Sequence, residues 1–233
     1  MFSHLMKASF VSALLLACSL MFTAKCDAGP IGSAVTLASL LQTSDTNPSL
    51  QVGDKKFDTF TFAGTGDMPP AVNVNVIPFQ DSDGNYGVRF QAAFIDLPGN
   101  GGSDALITFK VTVTDPEPVR ITDAHLVGNP NLLGTTGSAS VTETFIPDSP
   151  LVMQIHDNGN GHKLTDKVDF PLPGYRTLNV QKDILLFGGD APATISFVDQ
   201  TFSQVPEATT AFMSVIACCG LVLKRRRANR LVL

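Results

Sequence analysis

The sequence predicts an all-β domain, folded as an antiparallel β-sandwich with a closed barrel as the alternative. In residues 107–113, isoleucine, phenylalanine and valine alternate with threonine and lysine, which is the period of a half-buried strand. Clusters of glycine, asparagine and aspartate separate this run from similar ones. No amphipathic helix of normal length occurs in residues 42–204. These three observations together favour strands joined by tight turns.

The predicted elements follow in chain order. Residues 36–41 suit one short helix at the start. Alternating runs predict strands at residues 72–76, 88–91, 107–114, 151–155, 178–180 and 195–197. Turn formers stand at residues 53–54, 83–85, 98–102, 158–161 and 188–190. This spacing leads us to expect about eight to eleven strands. The Pro-Glu-Pro at residues 116–118 suits a bend between sheets, because proline lacks a ladder donor.

The N-terminus has the pattern of a secretory signal peptide, residues 1–28. Its apolar run, residues 9–22, is too short to span a bilayer comfortably, and small residues follow it. We expect cleavage between Ala28 and Gly29, after export through the secretion translocon. The alternative is lipoprotein processing with a lipid on Cys18.

The C-terminus, residues 205–233, has three parts in a fixed order. Val205, Pro206 and Glu207 precede an uncharged apolar stretch, residues 208–223. A basic cluster ends the stretch at Lys224, Arg225, Arg226 and Arg227. Apolar residues enter the bilayer and clustered cations resist crossing it, so this order predicts a membrane helix with its end in the cytoplasm.

This tail resembles the PEP-CTERM sorting signal of bacterial exported proteins, with Ala208 where the second proline is usual. The resemblance implies that Val205, Pro206 and Glu207 are recognised by an exosortase-like membrane enzyme. It also implies transient anchoring in the inner membrane, then release to the cell surface or the extracellular biofilm matrix, with exopolysaccharide as a partner. Stop-transfer would fall to Lys224–Arg227. A plain single-span anchor is the alternative.

The length of the region between the two ends, residues 29–204, favours one domain. Its composition limits how this domain can be stabilised and what it can bind. All four cysteines lie outside it, so no disulfide stabilises it. Residues 29–205 hold nine Lys and Arg against nineteen Asp and Glu, a net charge of −10. The basic residues are scattered, so no basic patch could follow a phosphate backbone, and nucleic-acid binding is excluded.

Catalytic motifs are missing from the sequence. It contains no His-Glu-x-x-His, Cys-x-x-Cys, P-loop or Gly-x-Ser-x-Gly pattern. His125 follows strand-like sequence and suits a strand end at the surface better than a general base. We therefore expect neither an enzyme nor a cofactor.

Two segments are weak candidates for metal binding. Asp81, Asp83 and Asn85 offer alternate oxygen ligands, but the sixth and twelfth positions of a calcium loop are occupied by Tyr86 and Ala92. A hairpin turn explains the first segment. His156 and His162 bracket a turn, where two imidazoles and Asp157 suit zinc. Exposed strand ends explain the second.

Three functions follow from these features. The first is an exported structural or interaction protein of the cell surface or matrix. The second is a polysaccharide-binding sandwich, which is weakened because the chain has no Trp and two Tyr. The third and least favoured is an extracellular hydrolase. An exposed aromatic pair would favour the second, and convergent carboxylates in a deep cleft would favour the third.

Overall fold

The computed structural model describes residues 28–99, 101–116 and 119–205, which form two facing antiparallel sheets. The predicted all-β sandwich is confirmed. The predicted signal peptide, residues 1–28, lies outside the described residues except for Ala28, and so does the tail from Pro206 onward. Within those ranges, no helix combines the length and apolar character needed to cross a membrane.

The strands are generally longer than their alternating runs in the sequence. Their bounds are β1 Gly29–Pro30, β2 Val35–Thr36, β3 Ser49–Val52, β4 Lys55–Thr65, β5 Asn75–Gln80, β6 Tyr86–Asp96, β7 Ser103–Val113, β8 Arg120–Gly128, β9 Asn131–Leu132, β10 Gly137–Phe145, β11 Ser149–Asp157, β12 His162–Lys163, β13 Thr165–Asp169, β14 Thr177–Gly188 and β15 Ala193–Val205.

Two short helical segments accompany the strands. The predicted helix is present as α1, Leu37–Leu40, and a 3-10 turn covers Ala71–Asn73. Thr36 caps α1, because its hydroxyl accepts a hydrogen bond from Ser39 N at 3.3 Å.

Strand order defines two sheets, which we name by how many strands each contains. In the eight-stranded sheet the order is β1-β5-β6-β15-β8-β13, with β2 beside β5 and β9 beside β15. In the seven-stranded sheet it is β12-β11-β10-β14-β7-β4-β3. The chain passes between sheets from β7 to β8, where the sequence predicted a bend, although Glu117 and Pro118 lie outside the described residues.

The core lies between the sheets and is rich in phenylalanine. Strand β7 buries every second residue from Ser103 to Val113. Phe109 of the seven-stranded sheet meets Phe90 of the other with ring centroids 5.8 Å apart, and Phe57 meets Phe202 at 6.2 Å. Such pairs add about 0.5–1.5 kcal/mol each to the gain from burial. Aromatic packing therefore stabilises a domain that has no disulfide.

The outer face of the seven-stranded sheet carries the alternate residues of the same strands, which point away from the core. Cross-strand register aligns polar residues into a row, which we call the polar row: Thr61, Thr108, Gln181 and Thr144, on β4, β7, β14 and β10. The next row carries Asp183 and Thr142. This face is the setting of the candidate site.

Candidate functional site

A cleft with a volume of about 300 Å³ opens on the outer face of the seven-stranded sheet. It lies between the turn that joins β10 to β11 and an irregular point in β4. We call it the polar cleft, and its lining residues are Thr59, Thr108, Phe109, Ile146, Pro147, Asn179, Val180 and Gln181.

The floor of the polar cleft carries uncharged hydrogen-bonding groups. Thr108 and Gln181 are cross-strand partners there. The hydroxyls of Thr61 and Thr108 are 2.6 Å apart. Gln181 is exposed and lines the cleft, with Thr59 and Asn179 also in the lining. The floor therefore offers hydroxyl and amide groups to a ligand.

One wall of the polar cleft is apolar and held in place. It consists of Ile146, whose exposed fraction is 61%, and Pro147. The next residue, Asp148, fixes this turn against β14, because its Oδ2 accepts hydrogen bonds from Asn179 N at 2.6 Å and Asn179 Nδ2 at 2.9 Å. The hydroxyl of Tyr175 donates to Asp148 O at 2.9 Å. An apolar surface thus stands beside polar groups.

The opposite wall contains a strained residue. Thr59 has a φ of 60°, which is an outlier for a β-branched side chain. Asn47 holds it, accepting a hydrogen bond from Thr59 N at 2.9 Å. The Thr59 hydroxyl donates to Asp58 Oδ1 at 2.8 Å. Strain of this kind costs about 1–3 kcal/mol and clusters at functional sites. The strain at Thr59 is therefore a second reason to treat this cleft as the candidate site.

Two carboxyl groups meet on the same face, beside the polar cleft. Asp183 of β14 lies diagonally across from Asp104 of β7. Burial and the neighbouring Asp104 raise the pKa of Asp183 to about 6. The Asp183 carboxyl therefore keeps a proton in mildly acidic solution.

The predicted calcium-type segment forms the β5–β6 hairpin turn. Asp81 Oδ1 accepts hydrogen bonds from Asp83 N and Asn85 N, each at 2.9 Å. Its Oδ2 accepts from Asn85 Nδ2 at 2.9 Å and from the Thr201 hydroxyl at 2.7 Å. The structure thus brings these residues together, but both oxygens of Asp81 stabilise the turn itself.

His125 lies in the middle of β8, not at the strand end that the sequence suggested. It lines a second cavity, of about 140 Å³, on the outer face of the eight-stranded sheet. Its Nε2 is 3.1 Å from Asp123 Oδ1, and its Nδ1 is 3.8 Å from Asp81 Oδ2. The hydrogen bond with Asp123 raises the pKa of His125, although partial burial opposes this. Lys167 is 3.1 Å from Asp123 Oδ2. These groups satisfy one another, so this cavity offers a ligand less than the polar cleft does.

The two turn histidines are not brought together. In the β11–β12 hairpin, His156 pairs with Lys163, and Asp157 pairs with His162. Adjacent residues of a strand point to opposite faces, so the two imidazoles lie on opposite sides of the hairpin. Both oxygens of Asp157 accept backbone hydrogen bonds. Across the described ranges, no group of three or more His, Cys, Asp or Glu is placed to hold a metal ion.

The predicted processing residues flank the sandwich. Gly29 begins β1 and pairs with Gln80. Val205 ends β15 and pairs with Arg120. Pro206, Glu207 and the basic cluster at Lys224–Arg227 lie outside the described residues.

The comparisons with known proteins give a limited result. No protein-family model matches the chain, and no curated protein matches it. A solved structure of TmCBM61 in complex with β-1,4-galactotriose is 10% identical and covers 61% of this chain and 88% of its own, with a TM-score of 0.30. The xylan-binding module CBM15 is 14% identical and covers 68% and 97%, with a TM-score of 0.27. The enzymatically active domain of bacteriophage CBA120 tailspike protein 4 is 14% identical and covers 62% and 19%, with a TM-score of 0.30. At these TM-scores the similarity carries no argument about function.

The polar cleft was missed in the sequence because its residues belong to no motif. Thr108 and Gln181 are simply the outward residues of alternating strands. One signal was available: outward positions of a solvated sheet often carry lysine and glutamate, whereas Thr108, Asn179 and Gln181 occupy the outward positions that line the cleft. The exposed aromatic pair that would favour a polysaccharide-binding module is absent from this face as far as the structure describes it; Phe187, with an exposed fraction of 49%, lies at its end.

Proposed function

We propose that the protein is an exported surface or matrix protein whose sandwich binds a neutral polysaccharide in the polar cleft. One observation carries this proposal: uncharged hydroxyl and amide groups form the floor of an open cleft beside an apolar wall. A sugar ring has hydroxyls at its edge and C–H groups on its faces, so it needs both kinds of surface. A volume of about 300 Å³ lies at the lower end of the range for ligand sites.

The charge of the domain supports a neutral ligand. Residues 29–205 have a net charge of −10, so an acidic polysaccharide would be repelled over the whole surface. Binding through neutral donors and acceptors avoids this repulsion.

The carboxyl pair beside the cleft supports binding over hydrolysis. In glycoside hydrolases the two carboxyls are about 5–5.5 Å apart in retaining enzymes and about 6.5–9.5 Å apart in inverting ones. Neither Asp104 nor Asp183 lines the polar cleft, so the pair does not flank a sugar that is bound there.

Export is part of the same proposal and rests on the sequence of the two ends. The signal peptide would deliver the chain to the translocon. The tail would hold it in the inner membrane until an exosortase-like enzyme acts at Val205, Pro206 and Glu207.

The test is affinity gel electrophoresis of the mature protein in a panel of soluble neutral polysaccharides. We expect at least one polysaccharide to retard the protein. Gln181→Ala and Thr108→Val should each weaken the binding about fivefold, because a hydrogen bond contributes about 1 kcal/mol. Ile146→Ser should weaken it through the apolar wall.

The matched control is Gln91→Ala, because Gln91 is an exposed glutamine on the outer face of the other sheet. Retardation that Gln91→Ala reduces as much as Gln181→Ala does would place the binding elsewhere. No retardation by any polysaccharide would reject the proposal and leave an interaction protein.

A further inference from the structure

Three polar side chains are completely buried between the two sheets. Lys182 of β14, Glu143 of β10 and Gln200 of β15 each have an exposed fraction of 0%. Lys182 and Glu143 are cross-strand partners in the seven-stranded sheet, and Gln200 approaches from the eight-stranded sheet. We call these three residues the buried triad.

The contacts of the buried triad centre on the lysine. Lys182 Nζ donates to Glu143 Oε2, and it donates to Gln200 Oε1 at 3.1 Å. Each of the three residues occupies an inward position between buried apolar residues of its own strand. Lys182, for example, lies between Val180 and Ile184, which are two residues away on either side. The amine is therefore held against the side-chain amide of Gln200 in a site away from solvent.

The buried triad is poorly satisfied as a structural element. Glu143 Oε1 and Gln200 Nε2 are buried and have no hydrogen-bond partner among the described residues. An orphan buried donor or acceptor loses its hydration without compensation. Glu143 Oε1 belongs to a carboxyl group that could carry a proton, and Gln200 Nε2 belongs to an amide group that could leave as ammonia.

The protonation states suit a reaction at this point. Burial lowers the pKa of Lys182, although Glu143 and Asp199 oppose the change. Burial raises the pKa of Glu143, although Lys182 opposes the change. Both directions favour a neutral amine next to a neutral carboxylic acid. A neutral lysine amine is a nucleophile, and a carboxylic acid beside it can move protons.

We propose that Lys182 and Gln200 react inside the folded domain to form an amide cross-link between the two sheets, with Glu143 as the proton carrier. Lys182 Nζ attacks Gln200 Cδ, so that an Nζ–Cδ bond forms and the Cδ–Nε2 bond breaks. One proton passes from Nζ to the Glu143 carboxyl, and Glu143 delivers a proton to Nε2. Ammonia leaves, Glu143 returns to its starting state, and no oxidant or reductant is required.

We assign the attacked carbonyl group to Gln200 because of the roles that the remaining groups can fill. If Lys182 attacks Gln200, Glu143 is free to carry the proton. If Lys182 attacked Glu143, water would leave, and the buried triad would hold no second carboxyl for proton transfer. The Lys182–Gln200 bond also joins β14 to β15 in a domain that lacks cysteine.

The test is a peptide map of the full chain, purified in its folded form, then denatured and digested with a protease that cleaves before aspartate. Asp169 and Asp183 bound one fragment, so Lys182 is its last residue. Gln200 falls in the fragment that begins at Asp199. We expect one joined species, lighter than the two peptides together by one ammonia, with fragmentation spectra that place the bond at Lys182 and Gln200.

Two results would overturn the inference. Full recovery of the two separate peptides would show that no cross-link forms. A species lighter by one water, joining the Lys182 fragment to the fragment at residues 123–147, would assign the acceptor to Glu143.

Variants test the roles within the buried triad. Lys182→Met removes the nucleophile, and the two peptides should separate completely. Glu143→Gln keeps the shape but cannot accept the proton, and the joined species should fall at least tenfold while the circular dichroism spectrum stays rich in strand. An undiminished cross-link in folded Glu143→Gln would contradict the proton-carrying role. The wild-type map decides the main point even if a variant fails to fold.

Discussion

Arg89 holds Asp199 through two hydrogen bonds, from Nε to Oδ1 at 2.6 Å and from Nη2 to Oδ2 at 2.8 Å. The two residues are cross-strand partners on β6 and β15. The Arg89 guanidinium also lies over the rings of Phe79 and Phe197, 4.8 Å and 4.6 Å from their centroids. One side chain thus joins an ion pair to two aromatic contacts on the outer face of the eight-stranded sheet.

Arg89→Met should lower the free energy of unfolding by about 2–3 kcal/mol at neutral pH. It leaves the Asp199 carboxylate largely buried and unpaired, which is the costly way to break such a pair. Burial already raises the pKa of Asp199 against the influence of Arg89, so the loss should be smaller in mild acid. Urea denaturation at two pH values measures it. Lys163→Met, in an exposed pair with Asp166, is the control and should cost less than about 1 kcal/mol. Equal losses would contradict the prediction.

Asp183→Asn should increase stability at pH 7 and change it little at pH 4. The folded-state pKa of Asp183 is raised to about 6, so the folded protein holds a proton there that the unfolded chain has lost. Wild-type stability should therefore fall as pH rises from about 4 to about 6. The variant should lack this part of the fall. Denaturation curves across this pH range measure it, and parallel profiles for both proteins would refute the role of the carboxyl pair.

Thr59→Asn should raise the free energy of unfolding by about 1 kcal/mol. Asparagine tolerates a positive φ better than a β-branched residue does, so the backbone strain should fall. The control is Thr65→Asn, because Thr65 is an exposed residue of the same strand without a positive φ, and its change should stay within about 0.5 kcal/mol. Thermal and urea unfolding measure both. A Thr59→Asn variant less stable than its control would show that the hydroxyl contacts outweigh the strain.

Gly87→Ala should destabilise the domain by more than about 3 kcal/mol. An added Cβ would lie 1.8 Å from Gln200 O and 2.7 Å from Thr201 Cα, so β6 and β15 would have to separate. Gly161→Ala is the control, since a Cβ there meets nothing within 4 Å. The melting temperatures of the two variants provide the comparison. A Gly87→Ala variant as stable as Gly161→Ala would mean that the strands adjust freely.

Replacing Pro206 and Glu207 by alanine should block maturation and leave a longer chain in the inner membrane. This follows from the sorting proposal, because the apolar stretch and the basic cluster stay intact. Neutralising Lys224–Arg227 should act differently, by removing the orienting charge. Size and fractionation of an internally tagged chain in a host with the processing enzyme measure both. Identical size and location for the wild type and the double variant would favour the plain anchor.

The sequence predicts the sandwich well because alternation reports directly on burial. Phe109 and Val111 face inward while Lys110 faces outward, as the pattern requires. The same alternation contains a signal that is easily overlooked. Lys182 occupies an inward position between Val180 and Ile184, so a charged residue stands where the strand period demands an apolar one. A charged residue at an inward position of this kind could have identified the buried triad.

Sites that depend on contacts between distant strands could not be predicted from the sequence. Thr59 gains its positive φ from Asn47, which lies twelve residues away, and from an irregularity in the β4–β7 pairing. His125 meets Asp81 only because β8 and the β5–β6 turn reach the same face. Local composition contains neither relationship, since each depends on strand order.

The position of β15 has a mechanical consequence. This strand, Ala193–Val205, pairs with β6 along one edge and with β8 along the other, and it ends where the tail begins. A pull on Val205 along the strand would load both ladders in shear, so that many hydrogen bonds must rupture together instead of one after another. The domain should therefore resist extension from its C-terminal end far more strongly than from Gly29, which only a two-residue strand connects to β5.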